Sequence, residues 1–214
     1  AFGSEPQIVS RLGTQTMKGI QNGGIIPVVK HFPGHGDTSV DSHLALPRVD
    51  KSLEDLENLE LIPFKAAIDN NIEMIMVGHI LYPLIDENLP SSISDIFIKD
   101  ILRGELKYKG VVISDDITMG AIIDNYSIEE ASLKFLENGG DIILICHGSE
   151  NPALVYNRII EGVESGELSE IELNERVYRI LKLKKLYSLE DKVIDVIDAA
   201  EVNNRTIELI NNFN

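Results

Sequence analysis

The sequence predicts an α/β fold built on a parallel sheet, and three observations carry that reading. Four short apolar runs, Ile25–Val29, Ile72–Val77, Val111–Ile113 and Ile142–Ile145, are rich in Ile, Val and Met and do not alternate with polar residues. That is the pattern of strands buried on both faces. Segments of helical periodicity lie between them. The runs follow one another at roughly 30 to 48 residues, a spacing that accommodates right-handed strand–helix–strand crossovers.

The elements follow in order. A helix precedes the first run, and four strand–helix units come after it. Residues 52–64 place Leu53, Leu56, Leu59 and Phe64 near one face, with Ser52 as N-cap and acids in the first turn; Asn70-Asn71 ends this helical segment before the second run. Ser94 to Leu106 and Ser127 to Glu137 repeat the plan, the latter closed by Asn138-Gly139-Gly140. Asn151 to Ser165 and Ser169 to Leu186 are two further helices. Glu190 to Asn214 is a last, polar helical stretch.

The 214 residues suffice for one sizeable core. Nineteen Lys and Arg against 35 Asp and Glu give a net charge of −16, which argues against nucleic acid and against an anionic membrane surface as partners. One cysteine, Cys146, excludes an internal disulfide framework and does not fix the compartment. No apolar run approaches the ~20 residues of a membrane span, and residues 1–22 do not read as a signal peptide. No cofactor motif stands out. Four strands are too few for a complete (β/α)8 barrel of about 250 residues, so periodicity alone favours a doubly wound sheet.

Each apolar run leads into chemically capable residues: Lys30-His31, Gly78-His79, Ser114-Asp115-Asp116 and Cys146-His147. In parallel α/β folds the ligand site lies at the carboxyl ends of the strands. The loop after the first run is the densest, with three of the five histidines within thirteen residues. His31, His35, Asp37 and His43 have metal-ligand chemistry but lack the regular presentation of a helical H-E-x-x-H. Alternatively, Asp41 could orient His43 for acid/base work, or the loop could be merely polar. At the third run, Asp115 and Asp116 project to opposite sides of an extended chain. One carboxylate facing a pocket suits retaining glycoside hydrolysis and equally suits Mg²⁺. Spacing alone does not choose.

Lys30-His31-Phe32-Pro33-Gly34-His35-Gly36-Asp37-Thr38, then Asp41-Ser42-His43, then Ser114-Asp115-Asp116 with Met119-Gly120-Ala121, closely resemble the family 3 glycoside hydrolases, in their β-N-acetylglucosaminidase branch. The opening Ala1-Phe2-Gly3-Ser4-Glu5-Pro6 and the stretch Arg179-Ile180-Leu181-Lys182-Leu183-Lys184 are similar to that family as well, so the likeness runs from residue 1 to about 188. The resemblance implies strands five to eight of a (β/α)8 barrel over residues 1–188, with a helical extension over 189–214. It implies that the other half, with a sugar-binding Asp and Arg, lies outside this chain. It implies a retaining enzyme that removes terminal β-linked N-acetylglucosamine, with peptidoglycan fragments as the source: Asp115 as nucleophile, His43 as acid/base with Asp41 as its dyad partner, Lys30 and His31 on sugar hydroxyls, and Asp116 as a support. No metal and no cofactor belong to that scheme. His79 and His147 are expected to line the pocket, and Cys146 to be a buried strand-end residue without chemistry. Phosphorolysis of the same bond and an inactive half-barrel that self-associates are the competing expectations, with a zinc hydrolase as the outsider.

Overall fold

A computed structural model describes residues 2–38, 42, 45–190 and 198–212. Four strands, β1 (Val28–Phe32), β2 (Met74–Val77), β3 (Val111–Asp116) and β4 (Ile142–Leu144), form one parallel sheet in the order β1-β2-β3-β4. The helices are α1 (Pro6–Asn22), α2 (Leu53–Asn58), α3 (Leu61–Asp69), α4 (Gly120–Ile123), α5 (Ile128–Glu137), α6 (Asn151–Ser165), α7 (Glu170–Leu186) and α8 (Ala199–Asn211). A 3₁₀ turn covers Ser91–Ile93, and a π-helix covers Ile96–Glu105.

Local chemistry explains most boundaries. Ser52 caps α2 in a reciprocal box with Asp55, worth about 1 kcal/mol. Ser127 and Ser169 cap α5 and α7 in the same way, each accepting from the backbone N–H three residues on. The expected single helix over 52–64 is instead two. Pro63 has no N–H for the carbonyl of Leu59, and its ring would strike that carbonyl in a continuous helix; Leu59 breaks out at φ −138°. The first strand also differs from expectation. Gly24 (φ +74°) and the bond from Ile25 N–H to the Ile20 carbonyl spend Ile25 on closing α1, so the strand starts after Pro27 and includes Lys30 and His31, across which its register with β2 shifts. Likewise Ser114, Asp115 and Asp116 lie in β3 itself, not beyond it.

Alternation along the strands sorts the core into two layers. Phe32, Ile75, Val77 and Val112 join Leu56, Leu61, Phe64, Phe97, Ile98 and Phe135 in the main core beneath the helices. Met74, Val111, Ile113 and Ile142 face the other way, where Leu183 and Tyr187 cover their lower end. Strand order equals chain order, so the crossovers never reverse. A doubly wound sheet reverses at its switch point, and no reversal occurs among the described strands.

Candidate active site

The site grows from the carboxyl ends of the strands. A cleft of about 690 Å³ is lined by Lys30 of β1, Met76 of β2, Asp115 and Asp116 of β3, Thr118 and Met119 beyond it, and Leu144, Cys146 and His147 at β4. A larger groove of about 910 Å³ opens at the opposite end, between Glu73, Val111 and α7. It holds none of the expected site residues.

The loop after β1 is fixed from below. Gly34 (φ +147°) passes over Glu60, where a Cβ would fall 2.6 Å from the Glu60 Cγ, so only glycine fits. The Tyr82 hydroxyl donates to the Gly34 carbonyl at 2.7 Å. Lys51 bridges Asp37 (2.9 Å) and Glu60, tying the loop to the head of α3. His35 spends both ring nitrogens inside the loop, on Thr38 Oγ1 (2.8 Å) and Ser42 Oγ (3.1 Å). The metal quartet considered from sequence is therefore not assembled from His31, His35 and Asp37, and among the described residues no three His, Cys, Asp or Glu side chains converge on one point. Asp41 and His43, expected as the acid/base dyad, lie outside the described residues.

His31 and Asp115 do meet. His31 Nε2 stands 3.6 Å from Asp115 Oδ2. Burial pushes the His31 imidazole below its ordinary range; the Asp115 charge opposes this, and the neighbouring Lys30, His35 and His79 reinforce it. A neutral imidazole at that distance leaves the carboxylate charge uncompensated by an ion pair. Asp115 Oδ1 accepts from the Asp116 N–H at 2.9 Å, and the side chain keeps 14% exposure, on the cleft side.

Asp116 turns the other way and is buried. Its carboxylate accepts from Thr118 N–H (3.0 Å), Thr118 Oγ1 (2.7 Å), Cys146 N–H (3.0 Å) and His147 Nδ1 (3.1 Å). Burial pushes this carboxyl up, but those donors outweigh it and hold it below the usual carboxylate range. Asp116 thus ties the end of β3 to the end of β4. Because a carboxylate only accepts, Nδ1 of His147 carries the proton and Nε2 is left to the cleft.

Two expectations change here, and one residue is new. His79 does not line the cleft: it is fully buried, bonded to Ser92 and to the Asp116 carbonyl. Cys146 is exposed and lines the cleft, because its N–H is drawn to Asp116 and leaves the side chain outward. Thr118, which sequence reasoning passed over, is a principal partner of Asp116; its only sequence signal was a hydroxyl two residues past the aspartate, the spacing of a local side-chain turn. Lys30 and His147 lie where expected, on the cleft wall.

Known proteins resemble this chain over most of its length. Residues 1–183 match the glycosyl hydrolase family 3 N-terminal domain. A beta-hexosaminidase of Nitrosomonas eutropha is 32% identical over 189 residues, which is 87% of this chain and 54% of that protein. The structure of a glycoside hydrolase family 3 beta-N-acetylglucosaminidase from Paenibacillus sp. superimposes with a TM-score of 0.89 at 38% identity, over 93% of this chain and 38% of that one. A beta-glucoside phosphorylase structure superimposes at 0.84 with 26% identity, over 92% of this chain and 36% of that one. The chain spans about half the length, or less, of the curated relatives it matches. On the extent of these matches, the chain belongs to glycosyl hydrolase family 3.

Proposed function

We propose that this chain carries the nucleophile side of a retaining β-N-acetylhexosaminidase that removes terminal β-linked N-acetylglucosamine, with peptidoglycan fragments as the substrate class. The observation behind the reading is Asp115: a carboxylate at a strand's carboxyl end, open to a cleft, aligned by one backbone N–H and 3.6 Å from a neutral His31. Its oxygen attacks the anomeric carbon as the bond to the leaving oxygen breaks, giving a covalent glycosyl-enzyme; water then attacks the same carbon and releases Asp115. His43, paired with Asp41, gives the proton to the leaving group and takes one from the water. Lys30 and His31 bind sugar hydroxyls.

The chain, on this reading, is strands five to eight of a (β/α)8 barrel over residues 1–188, with 189–214 as a helical extension. Chain-ordered strands support it, as does an inner face on which, among the described residues, Leu183 and Tyr187 pack against Met74 and Val111 at the amino end. The remainder of a barrel, or a second copy, completes the wall. The test is an assay on a chromogenic β-N-acetylglucosaminide, with mass spectrometry of the trapped intermediate. A glycosyl adduct on Asp115 is expected, and an adduct elsewhere overturns the assignment. The phosphorylase among the structural neighbours makes phosphorolysis the second reading; a phosphate-dependent rate yielding sugar 1-phosphate would establish it.

A further inference from the structure

His79 is a buried titratable group that the proposed chemistry does not use. It follows β2 directly and has no exposed surface. Its Nε2 lies 3.0 Å from the backbone oxygen of Asp116, and its Nδ1 lies 2.7 Å from Ser92 Oγ. A carbonyl oxygen only accepts, so Nε2 holds the proton and Nδ1 accepts from the Ser92 hydroxyl. The surrounding turn is equally engaged: Ser91 Oγ donates to the Gly78 carbonyl at 2.7 Å, and a Cβ on Gly78 would fall 3.0 Å from the His31 Cβ. The end of β2 is therefore wedged between the two strands that bear His31 and Asp115.

The geometry points to His79 as a positioning residue for Asp115. Asp116 is gripped at its carboxylate by Thr118, Cys146 and His147, and at its carbonyl by His79 and the Met119 N–H (3.0 Å). With both ends held, its own N–H is aimed at Asp115 Oδ1. His79 acts through the backbone of Asp116, whose carbonyl it holds and whose N–H meets Asp115, and touches no substrate. The charged and titratable groups around it are Asp115 and Asp116 of β3, His31 of β1 and His35 of the following loop. Burial holds the His79 imidazole below its ordinary range against the pull of the two aspartates, so the neutral Nε2–H form is the one that persists.

The inference rests on Asp115 as the attacking carboxylate, and its test separates the two claims. His79→Gln carries a donor and an acceptor at nearly the spacing of the two ring nitrogens; His79→Leu carries neither. In a preparation that turns over substrate, His79→Leu should lower kcat by about 10²-fold with KM little changed, the cost of a small misplacement of a reacting group, and His79→Gln should recover most of that loss. Independently of any activity, ring ¹⁵N spectra of the 214-residue chain should show one neutral Nε2–H tautomer from about pH 5 to 8, the range in which an ordinary histidine titrates. The Asp115 carboxyl ¹³C resonance should move in His79→Leu and stay in His79→Gln. A His79 ring that titrates in that range overturns the inference. So does a folded His79→Leu protein with wild-type kcat or an unmoved Asp115 resonance. If His79→Leu does not fold, the wild-type ring spectrum and His79→Gln decide. An adduct on another residue would defeat the hydrolase reading and leave the spectra to judge the clamp on the Asp116 backbone.

Discussion

Two buried aspartates sit at opposite ends of the same sheet, and they are used differently. Asp141, at the amino end of β4, has no exposed side-chain surface and is bound by Arg103 (2.7 Å), Arg179 (2.8 Å) and the Val112 N–H (2.7 Å). It joins the π-helix, α7 and β3 with its charge compensated twice. Asp116, at the carboxyl end of β3, is held by a hydroxyl, two backbone N–H groups and an imidazole, with no arginine or lysine among these partners. An arginine there would stand beside Asp115 and neutralise the carboxylate proposed as the nucleophile. The amino end of the sheet can be built for stability with strong ion pairs; the carboxyl end is held by weaker donors so that one charge stays available. The separation of a stability face from a reactive face is the rule for parallel barrels.

The sharpest break in that comparison comes from the reactive end. In a preparation that turns over substrate, Asp115→Asn should take hydrolysis to background with little change in melting temperature, because an amide is a poor nucleophile and the side chain makes few bonds. If Asp116→Asn, equally folded, is the more damaging change, the two carboxylates have been given each other's roles. Asp141→Ala should act the opposite way. It strands Arg103 and Arg179 beside a buried void, and removing one partner of such a pair costs about 3–5 kcal/mol, measurable by denaturant titration of the chain itself. A loss under about 1 kcal/mol would mean that the amino end is not the stability face.

Asp116 lies between these extremes. Asp116→Asn should cost about 1–3 kcal/mol through the donors it unsettles. Its pH behaviour gives the sign. A carboxyl held below its ordinary range in the folded state adds stability above the unfolded value, near 3.9, and loses that contribution as pH falls through the folded value. Wild type and Asp116→Asn should therefore differ most above about pH 4 and converge in stronger acid. A gap that persists unchanged there would show that the loss is steric and not ionic.

Strands and caps were legible in the sequence because short-range chemistry sets them. The apolar runs located all four strands, and Ser52, Ser127 and Ser169 marked helix starts that hold at the atomic level. The break at Leu59 was also legible in principle, since Pro63 forbids a continuous helix. The π-helix was not legible, because i→i+5 pairing is rare and the apolar residues of 94–106 read equally well as an ordinary helix. Within the site, the nine residues from Lys30 to Thr38 marked the end of β1 and the loop that follows it. Nothing local could separate His79 from His147, each the residue that follows a strand-end step. One is buried by a 3₁₀ turn arriving from thirteen residues later, and the other is left 81% exposed by the bond that turns its Nδ1 toward Asp116. Burial at a strand end is decided by which neighbour covers it, and that neighbour is remote in the chain.

The smallest expected effect tests how far the reactive face extends. His147 lines the cleft, and Asp116 orients its ring so that Nε2 is the free nitrogen. Its side chain is exposed, so His147→Ala should leave stability nearly untouched, in contrast with Asp141→Ala. If Nε2 meets a hydroxyl of the bound sugar, the substitution removes one hydrogen bond, and KM should rise roughly two- to tenfold with kcat held. His147→Gln, which can still offer a hydrogen-bonding group to the cleft, should recover part of that. A fall in kcat at constant KM would instead mean that the ring works through Asp116 on β3, and would move His147 from the cleft wall to the clamp that also contains His79. An unchanged KM and kcat would restrict the reactive face to β1 and β3, with the segment after β4 serving to anchor Asp116.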